Sequence, residues 1–433
     1  MIQIVVEHIS DNSFLTINDM VDHKTSEYSR IEVDRSWQQK NHSSWNKKFY
    51  DGRHFKLITL DEYDPDIPAF YLVTLNHCVD RFNSTWVNFL RKDTVRFLKA
   101  NNIPIILSQP IEHTYDFISE SHGENRLSRS LDNLDILLCG RELYTNDILI
   151  HGISKIHRKP WTLNGRRLTD VFSYHFLDEA KDFDRYGKST KFQDHVDNFH
   201  LKSKKFICLN RVPRELRTLS LLKNREFLSD SYYTFLGEEP PWRQMSTHEL
   251  NIRFEESCRI QQDLEVLLKH KNEVLPLIPM TLPDDEVSNQ RENNILNQYR
   301  KEVWYEVVME THDLAFHKIP MSILSEKITW PILNHLPFIT VGHRMNTQFL
   351  QYLGFKTFDD LFFKTAEFRH TGTNVSELLE CIHETIKDYN SKCNAENFME
   401  IKDRLEFNYN HLLQTDWTEI EKNNFLNPWG FHN

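Results

Sequence analysis

Glycine is scarce in this chain, with 11 residues in 433. That count argues against Gly-rich phosphate loops, collagen-like repeats and low-complexity linkers. There is no CxxC pair among the six cysteines, Cys78, Cys139, Cys208, Cys258, Cys381 and Cys393. A chain of this size needs no staples, so free thiols and a reducing, cytoplasmic compartment are expected. No run of eighteen apolar residues exists, which excludes a transmembrane helix of ordinary length. The opening MIQIVVEHISDNSF has no basic start and meets Glu7 early, unlike a signal peptide. Positive charge is also in deficit. Lys+Arg number 52 against 63 Asp+Glu, a net charge of −11. Such a balance disfavours a protein whose main task is gripping nucleic acid, because phosphate neutralisation dominates that affinity.

What is present suits a globular protein. Hydrophobic residues make up 39% and charged residues 27%, with 29 Phe and 9 Trp to fill cores. At roughly 100–200 residues per domain, two or three domains are expected. Met1–Val6, Tyr71–Leu75 and Ile103–Ser108 read as strands, with a helix over Thr85–Ala100 between the last two. Strand, helix, strand at this spacing predicts a parallel α/β sheet, continued by Leu134–Leu138 and Ile148–His151. The polar stretch Lys159–Lys205 reads as an ordered crossover, with a domain boundary near its end. A second α/β series then follows. It comprises strand Lys205–Leu209, helix Pro213–Phe227, strand Tyr232–Phe235, helix Thr247–Lys269 and strand Val303–Met309. Helix Ser325–Asn334, broken by Pro331, strand Phe338–Val341, and helix Thr347–Leu353 closed by Gly354 complete it. From Val375 onward the chain is helical, with apolar positions at Leu378, Leu379, Ile382 and Ile386. The plan is an N-terminal α/β domain over 1–200, a second over 201–370 and a helical segment over 371–433, with a cleft between two sheets as the expected ligand site.

Two stretches carry chemistry. In KKFICLNRVPRELR a strand ends at Asn210 and a helix begins near Pro213, so unpaired N–H groups and the positive dipole end meet there. Arg211, Arg214 and Arg217 recur every three residues. Three guanidiniums at such a turn suit a phosphate or diphosphate; a solvated basic helix pairing with Glu215 is the plainer alternative. In the second stretch, Glu310 directly follows a strand, which sets its carboxylate at the strand's C-terminal end. Ser325 opens a helix and is a natural cap, and Glu326 in the first turn is favoured there in any case. The alternative is that Glu326 binds sugar hydroxyls while Lys327 meets phosphate.

The line YEVVMETHDLAFHKIPMSILSEKITWPILNHLPFITVG, with QYLGFKTFDDLF after it, resembles a glycosyltransferase-like family common in bacteriophage and bacterial genomes. That block is similar to the donor-binding half of fucosyltransferase- and exostosin-type enzymes, and KFICLNRVPRELR resembles the same family's strand-turn-helix. The likeness runs, with gaps, from Lys204 to Phe363. It implies an α/β, GT-B-like fold of two Rossmann-like domains facing a cleft, with the nucleotide-sugar donor held by the second. It implies that Asn210, Arg211, Arg214 and Arg217 approach the donor diphosphate. Glu310 falls on the acidic residue ending the strand, and Ser325, Glu326 and Lys327 fall on the triplet that holds the nucleotide-sugar. Glu215-Leu216 stands where the family often has His before the last arginine, and Ile328-Thr329 stands where Thr usually follows the lysine directly.

Glycosyl transfer expels a nucleoside phosphate or diphosphate. Metal-free GT-B enzymes stabilise the charge growing on it with Arg, Lys and a helix N-terminus. No cofactor is expected beyond the nucleotide-sugar co-substrate, and no metal. A carboxylate or His of the other domain would deprotonate the acceptor hydroxyl, with Glu112, His113 and Asp116 beyond the IPIILS strand as candidates. The acceptor would be a surface glycan or, in a phage enzyme, a hydroxylated base in DNA. For DNA, the Arg91–Arg96 and Lys155–Arg167 clusters are the places to look. The alternative is a non-catalytic structural or binding protein on a degenerate transferase fold.

Other motifs are discounted. Asp64-Pro65-Asp66 and Asp182-Phe183-Asp184 are DxD by letter, but 63 acidic residues generate such triplets readily. Gly187-Lys188-Ser189 mimics the end of a P-loop, with Asp182 where the first Gly belongs. Neither His312 with His317 nor His335 with His343 has zinc spacing. No GxSxG occurs, and no Cys/His pair stands out as a nucleophile.

Overall fold

A computed structural model describes residues 2–6, 9–10, 13–14, 55–74, 92–108, 136–140, 142–144, 161–163, 166–172, 175–187, 189–210, 215–235, 264–277, 282, 295–310, 321–342, 346–358, 375–417 and 419–420. The chain divides into two compact units. One is Met1–Leu143 with Ile156–Asp178 and Asp416–Asn433; the other is Tyr144–Lys155 with Glu179–Thr415.

The first unit is built on a seven-stranded sheet. In chain order the strands are β1 (Ile2–Val6), β2 (Phe55–Thr59), β3 (Ala69–Thr74), β4 (Ile105–Ser108), β5 (Ile136–Gly140), β6 (Trp161–Leu163) and β7 (Arg166–Phe172). Their order across the sheet is β2-β1-β3-β4-β5-β7-β6, parallel throughout except for the β7–β6 pair. β1 lies inside the sheet between two neighbours, and Ile2, Ile4 and Val5 are buried. Helix α1 (Lys92–Ala100) leads into β4, and Leu98 on its apolar stripe is fully buried.

The second unit carries a four-stranded parallel sheet. Its strands are β8 (Phe206–Asn210), β9 (Ser231–Phe235), β10 (Tyr305–Met309) and β11 (Phe338–Val341), in the order β9-β8-β10-β11. All five residues of β10 are buried, as expected of a central strand covered on both faces. The one charge in that strand, Glu306, is answered by Arg300 of α6 (Ile295–Lys301), whose Nε and second guanidinium nitrogen donate to Oε2 and Oε1 at 2.9 and 3.2 Å. Arg300 also faces the Trp330 ring at 5.4 Å, and Trp330 stacks on Phe183. α4 (Glu215–Lys223) follows β8 and buries Leu216 and Leu221. The remaining helices are α2 (His175–Arg185), α3 (Phe192–Asp197), α5 (Leu264–Val274), α7 (Thr329–Leu333), α8 (Asn346–Tyr352), α9 (Val375–Lys392), α10 (Ala395–Glu400) and α11 (Lys402–Gln414).

Each sheet by itself therefore shows the 2-1-3-4 order of a doubly wound, Rossmann-like fold. In such sheets ligands settle beyond the C-terminal ends of the strands where the order reverses. In the second unit that switch point lies between β8 and β10.

Three expectations from the sequence need correction. Lys159–Lys205 is no simple crossover: it contains β6, β7, α2 and α3. The amphipathic helix expected over Thr247–Lys269 is described from Leu264 and runs on to Val274. Ser325–Asn334 is a 3-10 turn, Glu326–Ile328, followed by the short α7. Pro331 does not break α7, because it sits in the first turn, where no intrahelical N–H bond is required.

Candidate functional site

The site is built where β8 and β10 end. These two strands pair only through Phe206–Tyr305 and Ile207–Glu306, whereas β8 and β9 stay in register as far as Asn210–Phe235, and β10 and β11 as far as Met309–Val341. The β8–β10 ladder thus ends earlier than the ladders on either side of it. Glu310 follows β10 directly and is buried, with its N–H donating to Val341 O at 2.9 Å. Its carboxylate accepts from the Ser325 hydroxyl at 2.5 Å and from the Ser325 N–H at 3.3 Å. Burial raises the Glu310 pKa above the usual carboxylate range; the nearby Lys327 charge and the two bonds from Ser325 pull the other way.

Ser325 is the cap of the Glu326–Ile328 turn. Its oxygen accepts from the Lys327 N–H at 3.4 Å and from the Lys327 ammonium at 3.3 Å, and that ammonium also reaches Glu326 Oε1 at 3.3 Å. The arrangement is layered. Glu310 and Ser325 form a buried floor, while the Glu326 and Lys327 side chains remain 35% and 30% exposed, so solvent or a ligand reaches them. The cap that the plainer reading of the SEK triplet expects is therefore in place.

Gly342, after β11, closes this floor from the far side. A Cβ there would stand 2.9 Å from Glu310 Cβ and 3.0 Å from Asn346 Nδ2, so only glycine lets β11 and the start of α8 pack against Glu310. Asn346 is buried at this contact. Neither residue was picked out from the sequence. The glycine that ends PFITVG, in a chain with few glycines, was the available signal.

The β8 side differs from expectation. Asn210 is buried and turned inward: its Nδ2 lies 3.2 Å from Cys208 Sγ, as strand alternation requires of residues two apart. Its N–H donates to Thr234 Oγ1, which in turn donates to Asn210 O. Burial pushes the Cys208 thiol up to about 12, which makes it an inert packing group rather than a nucleophile. Arg217, on α4, is buried; one guanidinium nitrogen donates to Met309 O at 3.4 Å and to Glu310 O at 3.2 Å. The structure therefore brings Arg217, Glu310, Ser325, Glu326 and Lys327 to one strand end. Arg211 and Arg214 lie outside the described residues, as do Glu112, His113 and Asp116, and also His312, His317 and His343.

The discounted motifs have structural roles. Asp64 accepts from the Asp66 N–H in a turn that Gln3 pins, and Asp182 pairs with Arg185 on α2. Asp184 accepts from Ser189 Oγ and Tyr409 OH. Gly187 takes a positive φ of 69° just after α2, as a helix-closing glycine does. His335 bonds Thr190 O and stacks on Tyr409. Among the described residues no group of three or more His, Cys, Asp or Glu side chains could hold a metal ion. No described helix is long and apolar enough to cross a membrane.

The topology and the site define the class: an α/β protein of two Rossmann-like units, with Lys327 and Glu326 paired near the C-terminal end of β10 in the second. No protein-family model matches the chain, and no curated protein matches it. Solved structures do show similarity. One is an E. coli structure described as trehalose-6-phosphate bound with UDP-2-fluoro glucose, at 12% identity and a TM-score of 0.41, over 99% of this chain and 98% of that one. Another is the Candida albicans trehalose-6-phosphate phosphatase N-terminal domain, at 10% identity and 0.42, over 100% and 97%. A third is a UDP-forming α,α-trehalose-phosphate synthase from Burkholderia xenovorans in complex with glucose-6-phosphate, at 12% and 0.39, over 93% and 78%. These scores stay below 0.5, and the functional reading rests on topology and site geometry instead.

Proposed function

We propose that the protein is a GT-B-like glycosyltransferase that moves a sugar from a nucleotide-sugar to an acceptor hydroxyl. The supporting observation is the Lys327 ammonium, held by Ser325 above a buried Glu310 at the switch-point end of β10. A nucleoside diphosphate leaving a sugar accumulates negative charge, and a pre-oriented ammonium stabilises that charge without reorganisation. Glu326, beside it and half exposed, suits sugar or ribose hydroxyls. Lys327 then fills the place that a divalent cation takes in metal-dependent transfer, so the reaction is proposed to be metal-independent. Arg211 and Arg214 are proposed as further partners of the diphosphate. The general base belongs among Glu112, His113 and Asp116, and the acceptor is a glycan or a hydroxylated base in DNA.

The test is thermal shift against UDP-, GDP-, CMP- and dTDP-sugars, followed by donor hydrolysis with and without EDTA. Saturating donor at 100 times Kd adds about 2.7 kcal/mol of stability. Stabilisation by one nucleotide class and EDTA-resistant turnover are expected. No shift with any nucleotide favours the non-catalytic alternative, and loss of turnover in EDTA overturns metal independence.

A further inference from the structure

We propose that Arg217 is a positioning residue rather than a ligand of the donor's phosphates: it holds the end of β10 beyond the last β8–β10 pair, and so fixes Glu310, Ser325 and Lys327. The argument starts from the ladder. In a parallel sheet alternate residues direct their main-chain groups to opposite neighbours. Glu306 and Glu310 send their N–H groups to the β11 side, to Pro337 O and Val341 O. Met309 therefore faces β8, where pairing stops after Ile207–Glu306. Met309 is buried and lies beyond the last β8–β10 pair, and a buried carbonyl needs a donor.

Arg217 supplies the donor. It reaches across from α4, the helix that follows β8, and bonds both Met309 O and Glu310 O. The guanidinium thus ties α4 to the end of β10. Both bonds come from one guanidinium nitrogen, and arginine's pre-organised planar head loses less freedom per bond in holding it there than a flexible lysine ammonium does. Being buried, Arg217 presents little surface to a ligand. Glu310 begins the chain of contacts that leads through Ser325 to the Lys327 ammonium, so a shift of the strand end moves the whole array.

The inference rests on Lys327 being the phosphate partner, and the test separates the two ideas. In the full-length chain, Arg217→Lys and Arg217→Met are compared with Lys327→Ala. One readout needs no ligand: hydrogen exchange at the Ser325 amide, which is protected by its bond to Glu310. Exchange about tenfold faster or more is expected in both Arg217 variants, and unchanged exchange in Lys327→Ala. The second readout is donor hydrolysis. Both Arg217 variants are expected to lose kcat by about tenfold or more with KM shifted less than about threefold, and lysine gives no rescue. Unchanged Ser325 exchange, or rescue by Arg217→Lys of a KM that Arg217→Met had raised, would overturn the positioning role and make Arg217 an anion ligand. A wild-type protein that binds no nucleotide sinks the transferase reading alone, because the exchange result still decides what Arg217 does.

Discussion

A lysine near the C-terminal end of a parallel strand acts according to what fixes it. Lys327 is fixed by a serine hydroxyl that itself leans on a buried carboxylate. If it stabilises a departing phosphate, Lys327→Ala lowers donor turnover by roughly 10²–10³, measured by donor hydrolysis at saturating nucleotide-sugar; unchanged turnover removes it from the mechanism. Glu310 makes a prediction about pH. Its folded-state pKa is raised by burial, so the folded protein holds this proton more tightly than the unfolded chain does. Glu310's contribution to stability is therefore full below the unfolded value, near 4.5, and is lost as pH rises through the folded one. Melting temperatures measured from pH 4 upward should show that loss in the wild type and not in Glu310→Gln.

At the scale of elements, three devices hold the second unit. One is the buried pair of Arg300 and Glu306 between α6 and β10. Removing one partner leaves an uncompensated buried charge, so Arg300→Met is expected to cost about 3–5 kcal/mol in urea unfolding. The second is Gly354, which ends α8 with a φ of 90°, and whose missing Cβ would stand 2.7 Å from His411 Nε2. His411 uses that nitrogen to bond Leu353 O at 2.8 Å. Gly354→Ala meets both backbone strain and a clash, and should destabilise by at least about 1–2 kcal/mol. The third is Lys202, buried against Trp304 and Phe398 with its ammonium on Val303 O and near His195. Burial lowers its pKa to about 7, against 10.5 for the free group. Above pH 7 the folded protein releases a proton that the unfolded chain keeps, so stability rises between about 7 and 10.5. The melting temperature of wild type relative to Lys202→Met should climb across that window.

Elements with a strong pattern were readable in the sequence, and those whose signal is short or diluted were not. FICLN and YEVVM announce strands because β-branched and aromatic residues run together. Within Lys159–Lys205 the signals are brief. The sequence Asn164-Gly165 between β6 and β7 is a hairpin dipeptide, and Phe176, Leu177 and Ala180 of α2 form a narrow buried stripe. Polar neighbours mask both. The cap at Ser325 was readable because a serine followed by an acidic residue is a common helix start. Arg217 was read by spacing as facing an anion, yet it turns to carbonyls, because no local pattern reports that a ladder stops early.

For the whole molecule, the net charge of −11 weighs on the acceptor. If the protein transfers a sugar to a glycan, as long-range repulsion from DNA would favour, turnover is expected to be nearly flat between 50 and 200 mM salt. A DNA acceptor would show the steep decline that follows counterion release, and that decline would reverse the choice. Composition, net charge and the strongly patterned strands and helices belong to the sequence alone, because burial of patterned apolar side chains and local propensity fix those elements residue by residue. Tertiary structure alone decided that Glu310, Ser325 and Lys327 meet, that Gly342 lets β11 close on Glu310, and that Arg217 ties α4 to the end of β10. Those contacts join residues distant in the chain, and they exist only once the sheet order and the extent of each ladder are set.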